Sequence, residues 1–331
     1  MKAAEIIQPG QMEVVELPCP EPGPDEVQIQ VMASGICGTD VHIFRGEYLG
    51  GYPIVPGHEF SGVVTAVGNR VTRFKPGDRV AVEPNIACDN CEACLNNRQN
   101  FCLNWSAVGV TRPGAMEQYT TAPEKAVFDI GALSFEQAAF MEPLSCVLHG
   151  LERLGAELGD KVAILGAGPI GLLLLQGIRA QGASQVTVVD KNKSRVDLAG
   201  ELGAARTLTD IAALRPDFYD VVIDATGAIP VMARTIDFVR PGGKALLFGV
   251  PPRDQEIRFD PFKIFNKGLT LLSSYTSVRN SYQALSLLQA GRIQVEGLIS
   301  HRLPLEGFQH GIEMIEQGAE GVKKVQILPN G

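Results

Sequence analysis

Excess positive charge is the first thing this sequence lacks. Lys and Arg number 29 against 37 Asp and Glu, for a formal net charge of −8. With no long basic run either, the electrostatic footprint of a nucleic-acid binder is excluded. Long apolar runs are missing too: the greasiest stretch, "IGLLLLQGI" at 170–178, falls far short of the roughly 20 residues a membrane span needs. The opening "MKAAEIIQPGQMEVVELP" has no apolar core and no small-residue cleavage site, so it does not read as a signal peptide. A cytoplasmic location is therefore expected. Cysteine is sparse and odd in number, seven in 331 residues, and no closed disulfide set uses up seven. In a reducing compartment clustered cysteines hold metal more often than disulfides. Internal repeats and low-complexity segments are absent. What remains, 45% hydrophobic and 20% charged residues, suits a globular chain of about two domains.

From residue 1 to about 147 the chain reads as short strands broken by Pro and Gly, among them "EVQIQVMAS", "GVVTAVG", "DRVAV" and "EQYTTAP". Frequent turn residues between alternating apolar positions predict an antiparallel, barrel-like or sandwich domain. From 148 to 277 the pattern changes to continuous apolar runs, "KVAILGAG", "QVTVVD", "DVVIDATG", "KALLFGV" and "LTLLSSY", separated by segments of helical spacing. That alternation predicts an α/β unit with a parallel sheet covered on both faces. Residues 278–331 return to the first style and are read as completing the first domain, which makes the parallel sheet an insertion.

"ILGAGPIGLLLL" places Gly166, Gly168 and Gly171 directly after a strand and at the opening of a helix. Glycines there allow a tight turn and close backbone approach, and the helix N-terminus receives a pyrophosphate. The next apolar run ends in Asp190, about 20 residues beyond Gly171, where an acid is placed to hydrogen-bond the adenosine ribose. Asp190 would repel a 2′-phosphate, which favours NAD over NADP. Lys191, Lys193 and Arg195 offset that repulsion in part. Pro169, Ile170, Arg195, Thr226, Val250 and Ser274 are further expected cofactor-binding positions.

Four of the seven cysteines crowd into "CDNCEACLNNRQNFC" at 88–102. A disulfide knot, a metal site and a redox switch are the candidate explanations. Cys88, Cys91, Cys94 and Cys102 have the spacing C-x2-C-x2-C-x7-C, and four thiolates close a tetrahedral zinc site with no position left for substrate. The role expected for the loop is structural. A second constellation lies upstream. "GICGTDVHIF" supplies Cys37, Thr39, Asp40 and His42, and "PGHEFSG" supplies His58 and Glu59. A thiolate, an imidazole and a carboxylate make a plausible three-ligand set with an open fourth position.

Taken together, "GICGTDVHIF", "PGHEFSGVVTAVG", "FKPGDRVAVEP", the four-cysteine loop, "EPLSCVLHG" and "VAILGAGPIGLLLL" resemble the zinc-dependent medium-chain dehydrogenases over essentially the whole chain. The resemblance implies a GroES-like β-rich catalytic domain, a Rossmann domain, a catalytic zinc in a cleft between them, and a homo-oligomer, dimer or tetramer. Simple alcohol dehydrogenases of this family usually have a cysteine ligand where "MEPLSCVLHG" has Glu142, which looks like the polyol and threonine dehydrogenase branch. Carried over, the resemblance makes Cys37, His58 and Glu59 ligands of a catalytic zinc, with Glu142 either binding it or holding its water. Cys88, Cys91, Cys94 and Cys102 would hold a structural zinc. Thr39 and His42 match a proton relay that leaves through the cofactor ribose. Asp40 either orients a zinc ligand or caps a helix.

The expected activity is hydride transfer from a secondary hydroxyl of a polyol to NAD, giving a ketose. L-threonine 3-dehydrogenase is the alternative, but threonine dehydrogenases have a longer segment between the cysteine and histidine ligands than "FRGEYLGGYPIVPGHE" and a different sequence after the last Rossmann strand. A non-catalytic nicotinamide-binding sensor is the alternative of another class.

Overall fold

The computed structural model describes residues 1–48 and 50–331. The described chain divides into two compact units, one of 1–145, 278–291 and 299–331, the other of 146–277 and 292–298.

The first unit is organised on the long strand Glu26–Gly35 (β1). Buried residues alternate along β1 and then become continuous at its end, as a strand does when one face leaves solvent and enters a site. A helix Gly38–Arg45 (α1) follows at once, and the strand Glu59–Val67 (β2) pairs back antiparallel on β1. The sheet continues through Arg79–Val82 to Val127–Asp129 on one side, and Tyr119–Pro123 also pairs with β1. On the other side stand Lys324–Ile327, antiparallel to β1, and Ile299–Leu303, parallel to Lys324–Ile327. The C-terminal segment thus closes the sheet begun near the N-terminus. Val27, Ile29, Val31, Phe60, Val64, Val80 and Val127 form one core of this unit. The helix Met141–Leu154 (α2) begins in it and ends in the other unit.

The second unit holds six parallel strands. Lys161–Leu165 (β3) lies between Gln185–Val189 and Tyr219–Asp224, and the full order runs Arg206–Leu208, Gln185–Val189, β3, Tyr219–Asp224, Val239–Leu247, Thr270–Ser273. Numbered by position in the chain this is 3-2-1-4-5-6, whose order reverses beside β3, and a ligand crevice is expected at that switch point. The helix Pro169–Ala180 (α3) leaves from the end of β3, with Pro at its first position and Gly168 as N-cap. The strand read from "KALLFGV" extends back to Val239 and stops at Leu247, which leaves Val250 outside it.

Residues 292–298, read with the first domain, cluster with the second unit. Gln176 is buried on α3, and its amide needs partners that an apolar core does not supply. It donates to the carbonyl of Gln294 at 3.0 Å and accepts from the Gln294 N–H at 2.7 Å.

Candidate functional site

Cys37 caps α1, and Asp40 in the first turn returns its carboxylate to the Cys37 N–H at 2.8 Å. The other Asp40 oxygen accepts from the Gly57 N–H at 3.2 Å. One fully buried carboxylate therefore ties together the two segments that carry Cys37 and His58. It also faces Nδ1 of His58 at 3.5 Å, too long for a hydrogen bond. Asp40 both caps a helix and faces an imidazole, so its two readings are compatible. Gly57 has φ of +98°, and a Cβ there would stand 2.9 Å from the Met116 backbone nitrogen. Only glycine fits that turn without displacing backbone.

Donor atoms of Cys37, His58 and Glu59 lie within 4.8 Å of one another. Zinc–ligand bonds of about 2.0–2.3 Å let a single ion reach all three with small adjustments. His58 Nδ1 is buried without a hydrogen bond, and a polar atom orphaned at this depth calls for another partner, whereas Glu59 Oε2 is ion-paired with Lys324. Burial works against the charged imidazole, yet Asp40 and Cys37 outweigh it and hold the His58 pKa well above its ordinary value. The pocket favours positive charge, so a divalent cation fits this donor set. Glu142 is buried in the first turn of α2, where the helix dipole favours a carboxylate, and it is not one of the three clustered donors.

Thr39 and His42 stand three residues apart on α1, on neighbouring positions of one helix face. Nδ1 of His42 lies 2.8 Å from a Glu47 oxygen, a partner not anticipated from sequence. Arg112 is ion-paired with Glu26, and Arg279 lies 3.9 Å from Asp89.

The Sγ atoms of Cys88, Cys91, Cys94 and Cys102 also lie within 4.8 Å of one another. Cys91 is 3.5 Å from Cys94 and 3.9 Å from Cys102, sulfur to sulfur, and all seven cysteines are free thiols. The Asn90 N–H pulls the Cys88 thiol down to about 6, and the Cys94 N–H lowers Cys91. Burial pushes Cys94 up to about 12. Four thiolates at this spacing repel each other unless a cation sits among them, so the set fits a tetrahedral zinc site.

At the switch point of the second unit a cavity of about 570 Å³ is lined by Gly166, Gly168, Asp190, Lys191, Arg195 and Thr226, and also by Asp210 and Ile211. Gly166 has φ of +106°, and a Cβ on Gly171 would stand 1.9 Å from the Gly166 carbonyl oxygen. Asp190 lines the cavity while its two oxygens accept the N–H groups of Ala167 and Asn192, each at 2.8 Å. It thus braces the glycine loop and keeps lone pairs for a further donor. Pro169, Ile170 and Gly171 form the helix start beside this cavity. Val250 and Ser274 lie outside its lining. Val250 is exposed, and the buried Ser274 hydroxyl has no hydrogen bond. Thr209, Asp210 and Ile211 were missed from sequence, because no motif marks the segment after the third strand.

Residues 23–132 match the family "Alcohol dehydrogenase GroES-like domain" and residues 169–290 the family "Zinc-binding dehydrogenase". D-altritol 5-dehydrogenase of Agrobacterium fabrum is 38% identical over 92% of this chain and 93% of its own length. An L-threonine 3-dehydrogenase of Rhizobium etli is 34% identical over 92% of each. A zinc-binding dehydrogenase structure from Sinorhizobium meliloti bound to NADP superposes with a TM-score of 0.94 at 35% identity, covering 99% of both chains.

Proposed function

The chain belongs to the zinc-binding dehydrogenases, and from that premise we propose that it oxidises a secondary hydroxyl of a polyol to a ketone with NAD as hydride acceptor. The observation that carries this reading is the cluster of half-buried Cys37 with buried His58 and Glu59 in a chain that has Glu142, not a third cysteine, in "MEPLSCVLHG". Cys37, His58 and Glu59 would hold a catalytic zinc, with Glu142 binding it or its water. Zinc there supplies Lewis acidity that makes a substrate hydroxyl more acidic near neutral pH.

The chain's own residues do the rest. Asp40 fixes the turn that carries His58 through the Gly57 N–H and sets a negative charge beside the imidazole. Thr39 is placed to accept the hydroxyl proton, and His42, three residues on along α1, to receive it onward. Glu47 on Nδ1 orients the His42 ring and leaves Nε2 to receive a proton. Gly166, Gly168 and the N-terminus of α3, with Pro169, Ile170 and Gly171, take the pyrophosphate. Asp190 takes the ribose hydroxyls, with Arg195 and Thr226 beside it and Val250 and Ser274 toward the nicotinamide. Cys88, Cys91, Cys94 and Cys102 hold a structural zinc.

The greater similarity to the altritol enzyme supports the polyol reading, as does the short segment between Cys37 and His58. Threonine oxidation is the second reading, on the strength of the threonine dehydrogenase relative. We place the protein in the cytoplasm, which suits seven free thiols, and expect a homo-oligomer, dimer or tetramer. No helix among the described residues is long and apolar enough to cross a membrane. The test is absorbance of reduced nicotinamide with zinc-loaded enzyme across pentitols, hexitols, their phosphates, threonine and simple alcohols. Preference for one polyol stereochemistry supports the reading. Turnover of threonine alone would replace it, and inactivity with every alcohol despite two zinc ions per chain would refute it.

A further inference from the structure

Lys324 opens the strand Lys324–Ile327, whose four residues are all buried, and its side chain is only 6% exposed. Its ammonium is ion-paired with Oε2 of Glu59.

The pair reaches across an intervening strand. Within the sheet β1 separates β2, which begins at Glu59, from the strand of Lys324. Gly35, the last residue of β1, pairs with Glu59 on one side and Gln326 on the other. A Cβ on Gly35 would stand 2.4 Å from Glu59 Oε2 and 2.7 Å from Lys324 Cε. The two side chains meet over Gly35 only because it has none.

We infer that Lys324 is a positioning residue that draws the Glu59 carboxylate toward itself, so that the carboxylate is shared between ammonium and metal and does not close the coordination sphere. A catalytic zinc must keep one position open for substrate. A carboxylate free to give both charge and lone pairs to the ion would push the site toward a closed, structural type. The inference rests on the reading of Cys37, His58 and Glu59 as the catalytic zinc centre.

The test compares zinc-loaded wild type with Lys324→Met, Lys324→Arg and Gly35→Ala, by the rate at which a colorimetric chelator removes each zinc and by kcat and KM. Changes behind metal ligands typically move affinity or activity about 10- to 100-fold. Lys324→Met is expected to release the more labile zinc about tenfold more slowly and to lose kcat by a similar factor with little change in KM. Lys324→Arg keeps the charge and should restore both. Gly35→Ala pushes on the far ends of two flexible side chains, so the backbone survives while the pair parts, and both readouts should move as in Lys324→Met. Equal or faster zinc release from Lys324→Met and Gly35→Ala overturns the inference. A wild type that binds only one zinc per chain overturns the underlying reading instead.

Discussion

Glu117 is a carboxyl group in the wrong place for an ionised acid, and pH should reveal it. It is 3% exposed and lines a cavity of about 480 Å³ with Met1, Glu5, Tyr52 and Arg112. Burial pushes its pKa up from 4.5 to about 8. A Thr120 hydrogen bond and the N-terminal ammonium pull it down, and Glu5 pushes it up. Between those two values the folded protein holds a proton that the unfolded chain has released. Unfolding then liberates one proton, so stability falls with rising pH by about 1.4 kcal/mol per pH unit. The contribution is fully present below about 4.5, is lost as pH rises through about 8, and sums to at most about 5 kcal/mol. A glutamine side chain at this position has the same shape and no titration. The stability of wild type minus that of Glu117→Gln, from urea unfolding at fixed zinc concentration, should fall steadily from about pH 5 to about pH 8 and then level off. Taking the difference cancels every other titrating group. A difference that stays constant across that range would refute the assignment of a protonated, buried Glu117.

Cys91→Ser should reduce zinc content from two to one per chain and lower the melting temperature, because a structural zinc contributes folding energy directly. The kcat of the surviving folded protein, measured against its remaining zinc, should stay within about twofold. Gly171→Ala should weaken NAD binding at least about fivefold by calorimetric titration. Its Cβ would meet the Gly166 carbonyl oxygen at 1.9 Å, and forcing a methyl group into a packed site costs about 1–3 kcal/mol. Unchanged NAD affinity would mean that α3 does not present its N-terminus to the pyrophosphate.

What could be read from the sequence depended on how far apart the cooperating residues lie. Gly166, Gly168 and Gly171 fall within six positions, and their turn is dictated by contacts among themselves, so their string alone predicts the strand, turn and helix that the second unit shows. Cys37 and Asp40 sit in one helical turn, and Gly57 precedes His58 and Glu59 directly. Each short segment has its own local logic, a capping box in one and a positive-φ turn in the other. The four cysteines likewise close within a single loop. Lys324 offered no such signal, since a lysine heading "KVQI" reads as the polar edge of a final strand. Its burial depends on that strand lying beside β1, on Gly35 being opposite, and on Glu59 emerging from the strand beyond. Gln176 in the apolar stretch "IGLLLLQGI" had the same character, for its partner is the backbone at 294. Such long-range polar pairs are set by sheet order and register, which hydrophobic periodicity does not encode for a strand returning from the far end of the chain. A buried ammonium is stable only when its anion is already in place, so Lys324 is as much a consequence of the assembled cluster as a part of it.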